Sequence, residues 1–214
     1  MLNQVYIAGG VVALAITGLV GSNFLYDQGV PGPLARRVAP ILGGVAYLVA
    51  VLWLDVRTAV TVAVALTLFI IILRLGFRRG LRGVKGSRSS QDWAEVTYPV
   101  AGTLSLVIGW LCLDNKWLAF LPVAFMAWGD SVAGLARDTI WRDHIASVWP
   151  SLAMLGICLV IVSFSHPLWI SVVGAVAATA AERFRPRLLR FWDDNLNIVA
   201  ASLAVMSVLT RISS

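Results

Sequence analysis

The chain has 214 residues, of which 59% are hydrophobic and only 13% charged, with a net charge of +6. A soluble domain carries roughly 25% charged residues, so the composition argues against a water-soluble globule. The mean hydropathy of +0.83 points instead to apolar segments that cross a bilayer. No polar stretch is long enough to enclose a core of its own, and residues 1–214 read as a single integral membrane domain. In a soluble protein the basic excess would suggest nucleic acid; here topology explains it.

In chain order, the first apolar run is Val5–Leu25. No Lys or Arg precedes it, so it reads as a retained span rather than a signal peptide. Further runs follow at Ala39–Leu54, Thr58–Leu73, Tyr98–Leu113, Trp117–Ala136, Trp149–Phe164, Leu168–Ala181 and Leu196–Leu209. The expectation is an all-α polytopic membrane protein, about eight transmembrane helices in one bundle. Seven remain if one of the shorter runs fails to cross a bilayer about 30 Å thick. Cys112 and Cys158 lie inside apolar runs as packing residues, and His144 and His166 stand alone in connections.

The connections alternate in charge. Fourteen of the 17 basic residues fall in the odd-numbered ones, among them Arg36, Arg37, Arg74, Arg137 and Arg183. Only Arg57, Lys116 and Arg211 fall on the other side. By the positive-inside rule the odd connections are cytosolic and both termini non-cytosolic. The Gly76–Trp93 connection, rich in Arg, Gly and Ser, suits anionic head groups, where each basic residue contributes about 1 kcal/mol. The acids divide the same way without being required to: all but Asp55 and Asp114 lie on the predicted cytosolic side.

Within this pattern, Trp128 to Arg137 places one carboxylate, Asp130, at the end of the uncharged run that begins near Trp117. A charge at such depth costs roughly 2.5–3.5 kcal/mol unless it faces protein, water or a cation. Gly129, Ala133 and Gly134 leave the helix surface beside it bare, so another helix or a ligand can come close. A second acidic cluster, Asp193-Asp194-Asn195 with Glu182 before it, is expected at the same membrane face.

Four features stand in one order: Arg36-Arg37, Glu95-Val96-Thr97-Tyr98-Pro99, Gly129-Asp130 with Ala133, and Glu182 followed by Asp193-Asp194-Asn195-Leu196. Over residues 34–200 this order resembles the CTP-dependent lipid kinases (phytol kinase, dolichol kinase, yeast-type diacylglycerol kinase), and more distantly the phosphatidate cytidylyltransferases. The resemblance implies phosphoryl transfer from CTP to a lipid alcohol, isoprenoid in character, at the cytosolic face. It implies Mg2+ near Asp130, Asp193 and Asp194, with Asp130 and Asp194 catalytic. Asn195, Glu182, Arg137 and Arg37 are then the nucleotide-side contacts. Adjacent residues on a helix point about 100° apart, so one of Asp193 and Asp194 is expected to cap the last helix instead.

The chain also departs from that pattern. Pro40 stands where the family has a histidine, Ala136 where it has a glycine, and Ser147-Val148-Trp149-Pro150-Ser151 lacks its lysine. Those departures support an alternative: a catalytically silent member of the fold, a structural or lipid- or pigment-binding subunit beside partner membrane proteins. A cavity between Asp130 and Asp194 walled by Arg137 and backbone amides would favour catalysis; Trp149 plugging that cleft would argue against it.

Overall fold

The computed structural model describes residues 2–76, 81–85, 93–141, 147–165, 167–183 and 193–213. Among these every regular element is helical: α1 Leu2–Asp27, α2 Gly32–Ala35, α3 Val38–Trp53, α4 Val56–Gly76, α5 Arg82–Lys85 and α6 Ala94–Ser105. Beyond them lie α7 Lys116–Ala124, α8 Asp130–Thr139, α9 Trp149–Val162, α10 Leu168–Arg183 and α11 Asp194–Ser213. Helix α6 runs on into a π-helical turn, Leu106–Cys112, and a second π-helix, Phe125–Gly129, joins α7 to α8.

Polar residues at the helix ends set the boundaries. Gly29 adopts a left-handed φ of 83° after α1. Gly29 N–H and Val30 N–H then donate to the Tyr26 and Leu25 carbonyls, a Schellman closure that a Cβ would strain. The Asn115 side chain accepts from the backbone N–H of Trp117 and Leu118 to cap α7. Asp55 caps α4 through Thr58 N–H and hydroxyl, and these bonds hold its exposed carboxyl below the usual value.

Six helical stretches are long and apolar enough to cross a membrane: Leu2–Asp27, Gly32–Trp53, Val56–Gly76, Ala94–Cys112, Lys116–Thr139 and Asp194–Ser213. The chain is thus a multi-pass helical membrane protein, with six such stretches where the sequence suggested about eight spans. The difference lies in α9 and α10, of 14 and 16 residues. At about 1.5 Å per residue they fall short of a 30 Å hydrocarbon core. They form a hairpin that leaves the end of the bundle holding Arg137 and returns to it, since Ser151 and Glu182 meet there.

The centre of the bundle is the Lys116–Thr139 stretch, 78% buried in its most apolar window, against 11% for Val56–Gly76. Every residue from Leu118 to Ala127 is buried, as expected of a helix that is apolar all round. Helices α3, α6, α9, α10 and α11 pack around α7, while α1 lies outside α3 and α4 outside α6.

Candidate functional site

Asp130 is the first residue after the π-helical turn, whose wider winding re-aims the side chains that follow it. The glycine beside it does as the sequence suggested. A Cβ at Gly129 would crowd Cys158 Sγ and Met154, so α9 packs directly on this backbone. At Gly134 the neighbour is the Arg37 guanidinium, which lies where a Cβ would be. Gly134→Ala therefore displaces Arg37; we expect a loss of about 1–3 kcal/mol in thermal unfolding of the micelle-solubilised protein, against a negligible change for Gly156→Ala, whose Cβ would meet open space.

Arg37 stands at the break between α2 and α3 and is 7% exposed. Its Nη1 donates to Asp130 Oδ2 at 3.0 Å and to the Asp130 carbonyl at 3.3 Å. Arg36 donates to Asp138 Oδ2 at 2.9 Å, with Arg37 Nη2 at 3.8 Å from the same oxygen. Arg37 Nε is buried with no hydrogen-bond partner among the described residues, and Asp130 uses Oδ2 alone for its ion pair.

The second acidic cluster divides its roles. Asp193 Oδ1 accepts from the backbone N–H of Asn195 and Leu196 at 3.1 and 3.3 Å, the geometry of an N-cap for α11. Its Oδ2 accepts from the Thr97 hydroxyl at 2.5 Å and from Asn195 Nδ2 at 3.0 Å. Asn195 Nδ2 also donates to the Ala94 carbonyl at 3.2 Å, so the pair rivets α11 to α6. The sequence reading counted Asp193 among the metal ligands; both of its oxygens are instead engaged in capping and cross-helix bonds. We expect Asp193→Ala to cost about 1 kcal/mol for the cap alone, and more through the lost bond to Thr97, seen as faster amide exchange at both helix starts.

Glu182, 1% exposed, forms an ion pair with Arg137 and accepts from the Ser151 hydroxyl at 3.3 Å. The Arg137 guanidinium also feels the charges of Asp130 and Asp194. Asp130, Glu182, Asp194 and Arg137, up to 64 residues apart by number, thus share one end of the bundle. Trp149 does not plug the space between them: it is 58% exposed and stacks on Trp141 with ring centroids 6.5 Å apart.

A cavity of about 180 Å³ opens at this end, touching Arg36, Arg37, Asp130 and Asn195 and continuing between apolar stripes of α1, α3, α4 and α6. Arg137 and Asp194 are not among its walls.

No protein-family model, no curated protein and no solved structure matches this chain. The functional argument therefore rests on the residues themselves.

Sequence reasoning missed three contributors. Arg74, the last charge of α4, pairs with Glu95 of α6 and lies over the Trp93 ring at 4.9 Å. Thr97 and Ser151 orient Asp193 and Glu182. The signal for the first was present: opposite charges at the end of α4 and the start of α6. The Glu95-to-Pro99 element proves to be a junction, since Tyr98 also donates to the Pro40 carbonyl at 3.0 Å. His144, His166 and most of the basic Gly76–Trp93 connection lie outside the described residues. Among the described residues no three His, Cys, Asp or Glu side chains group to hold a metal.

Proposed function

We propose that the protein phosphorylates a lipid alcohol, isoprenoid in character, from CTP at the charged end of the bundle, the face that the basic residues assign to the cytosol. The observation that carries the alcohol is the buried, unpartnered Arg37 Nε beside the ion-paired Asp130, both residues lining the cavity. Arg37 Nε–H is a buried donor with no acceptor among the described residues, and Asp130 pairs through Oδ2, so that Oδ1 takes no part in the ion pair. A hydroxyl can accept from the first and donate to the second, and the apolar cavity beneath it takes the start of the chain. The nucleotide follows from the resemblance in motif order.

In this reading the substrate oxygen accepts from Arg37 and its proton passes to Asp130 Oδ1, acting as general base. The oxygen bonds to the γ-phosphorus as the bond to the β-phosphate oxygen breaks, releasing CDP. Arg37 fixes Asp130 in orientation through the Nη1 hydrogen bond to Oδ2. Magnesium is held by oxygen ligands and usually by one or two carboxylates, with water and phosphate completing its shell. Asp194 would be its carboxylate ligand in this reading, since Asp193 is engaged in capping α11 and in the bond to Thr97. When bound, the ion would neutralise the charge on the transferring phosphate. Asn195, whose amide nitrogen is clamped to α6, would offer its side-chain oxygen to the nucleotide, with Arg137 held by Glu182 as a further contact.

The test is turnover by purified protein given Mg2+, CTP and a panel of prenyl alcohols. Phosphorylated lipid above the Asp130→Asn background supports the reading.

A second reading is favoured by the same network. Arg137 is held by Glu182, Arg36 by Asp138, and Asp193 by α6 and α11. A chain whose charged groups satisfy one another also suits a silent lipid- or pigment-binding subunit of a membrane complex. Lipid retained through purification, with no CTP affinity and with co-purifying membrane partners, would favour it.

A further inference from the structure

Exposure marks where the cavity beside Arg37 and Asp130 reaches the protein surface. Among the described residues that line it, all are buried or half-buried except Ile16 of α1 and Phe69 of α4, each 40% exposed. Both are apolar, and both lie inside stretches long and apolar enough to cross a membrane. Ile16 stands about three turns, and Phe69 about two turns, before the C-terminal end of its helix. At that depth the mouth of the cavity faces hydrocarbon rather than water. Packing accounts for the gap: α1 is held against α3 and α4 against α6, and α1 touches α4 only sparsely.

Leu81 and Val84, at the start of and within α5, also line the cavity, and Leu81 is buried. The α5 turn is seated on α1, because Gly83 N–H donates to Asn23 Oδ1 at 2.7 Å and a Cβ at Gly83 would collide with the Ser22 carbonyl. The enclosed space is small. An apolar cavity of about 150 Å³ holds one benzene, so the 180 Å³ here has room for roughly six to eight carbons. Arg37 Nε–H supplies the polar end, a buried donor with no acceptor among the described residues.

We infer that a lipid alcohol enters this cavity sideways from the bilayer, between α1 and α4, and that only the carbons nearest its hydroxyl are enclosed. The rest of its chain stays among the membrane lipids. Bulk beside the hydroxyl is then selected against, while chain length beyond the enclosed carbons is not read. This rests on the proposed function only in placing the hydroxyl at Arg37 and Asp130.

The experiment is photolabelling of the full chain in phosphatidylcholine vesicles, without nucleotide, read by peptide mass spectrometry. The probes are one straight-chain primary alcohol, longer than the cavity can enclose, carrying a diazirine either beside the hydroxyl-bearing carbon or at the far end of the chain. The near probe should label Tyr47 and Tyr98 in the cavity wall; the far probe should leave both unlabelled and mark the outer faces of α1 and α4. Unlabelled alcohols of the same length and of twice that length should compete equally, and one with a bulky branch on the hydroxyl-bearing carbon about tenfold less well. Ile16→Trp should cut near-probe labelling about tenfold by filling the gap, whereas Ile16→Ala should retain it. Val20→Trp, 57% exposed on α1 and outside the cavity lining, should change nothing. Far-probe labelling of Tyr47 or Tyr98, no near-probe labelling there, or labelling unchanged in Ile16→Trp overturns the inference. The expected labelling without any CTP-dependent phosphorylation would instead sink the kinase reading and leave this one standing.

Discussion

Arg37→Met destabilises the fold by about 3–5 kcal/mol, the usual consequence of removing one partner from a buried ion pair. Arg37 and Asp130 side chains are only 8% and 13% exposed, so the orphaned carboxylate has little water to turn to. The loss should appear as a lowered unfolding midpoint in micelles. It should be largely recovered by adding Asp130→Leu, because an apolar pair of similar size removes the uncompensated charge. A double variant as unstable as Arg37→Met alone would show that the pair's worth lies elsewhere, in the Arg37 contact with the Asp130 carbonyl or with Asp138.

Asp130→Asn lowers turnover by about 10²–10⁴-fold, the range expected when a general base is lost, and leaves lipid affinity within a few fold. The amide keeps an oxygen for the Arg37 hydrogen bond but cannot take the substrate's proton. The effect should fall on kcat with little change in KM for the alcohol. Turnover that survives the substitution would remove Asp130 from the chemistry; its loss together with alcohol binding would make Asp130 a positioning residue for Arg37. If the chain is a silent lipid-binding subunit, there is no turnover to lose, and Asp130→Asn shows only its change in stability.

Much of the arrangement was legible before any coordinates. Glycines around a lone carboxylate signalled a close approach, and Arg37 fills the approach to Gly134 while α9 fills that to Gly129. Clustering of acids in alternate connections brought Asp130, Glu182 and Asp194 to one end. The helix count was less legible: α9 and α10 are apolar enough to look like spans in sequence. Their runs were already short for a bilayer in sequence, and the structure gives helices of 14 and 16 residues, joined at the charged end through Ser151 and Glu182. Asp193 was ambiguous for a similar reason, since a carboxylate that caps a helix and one that holds a cation are the same residue type one position apart.

The sequence by itself determined that this protein is helical, that it belongs in a membrane, and that its charges concentrate in alternate connections. These follow from composition and from the order of apolar runs, which act locally along the chain. Only the tertiary structure decided which charges neutralise one another, that Arg37 Nε is buried with no partner among the described residues, and that an apolar cavity opens between α1, α3, α4 and α6. Those depend on distances between helices remote in the chain, set by where glycine and alanine let backbones meet and where Asp193 ties α11 to α6.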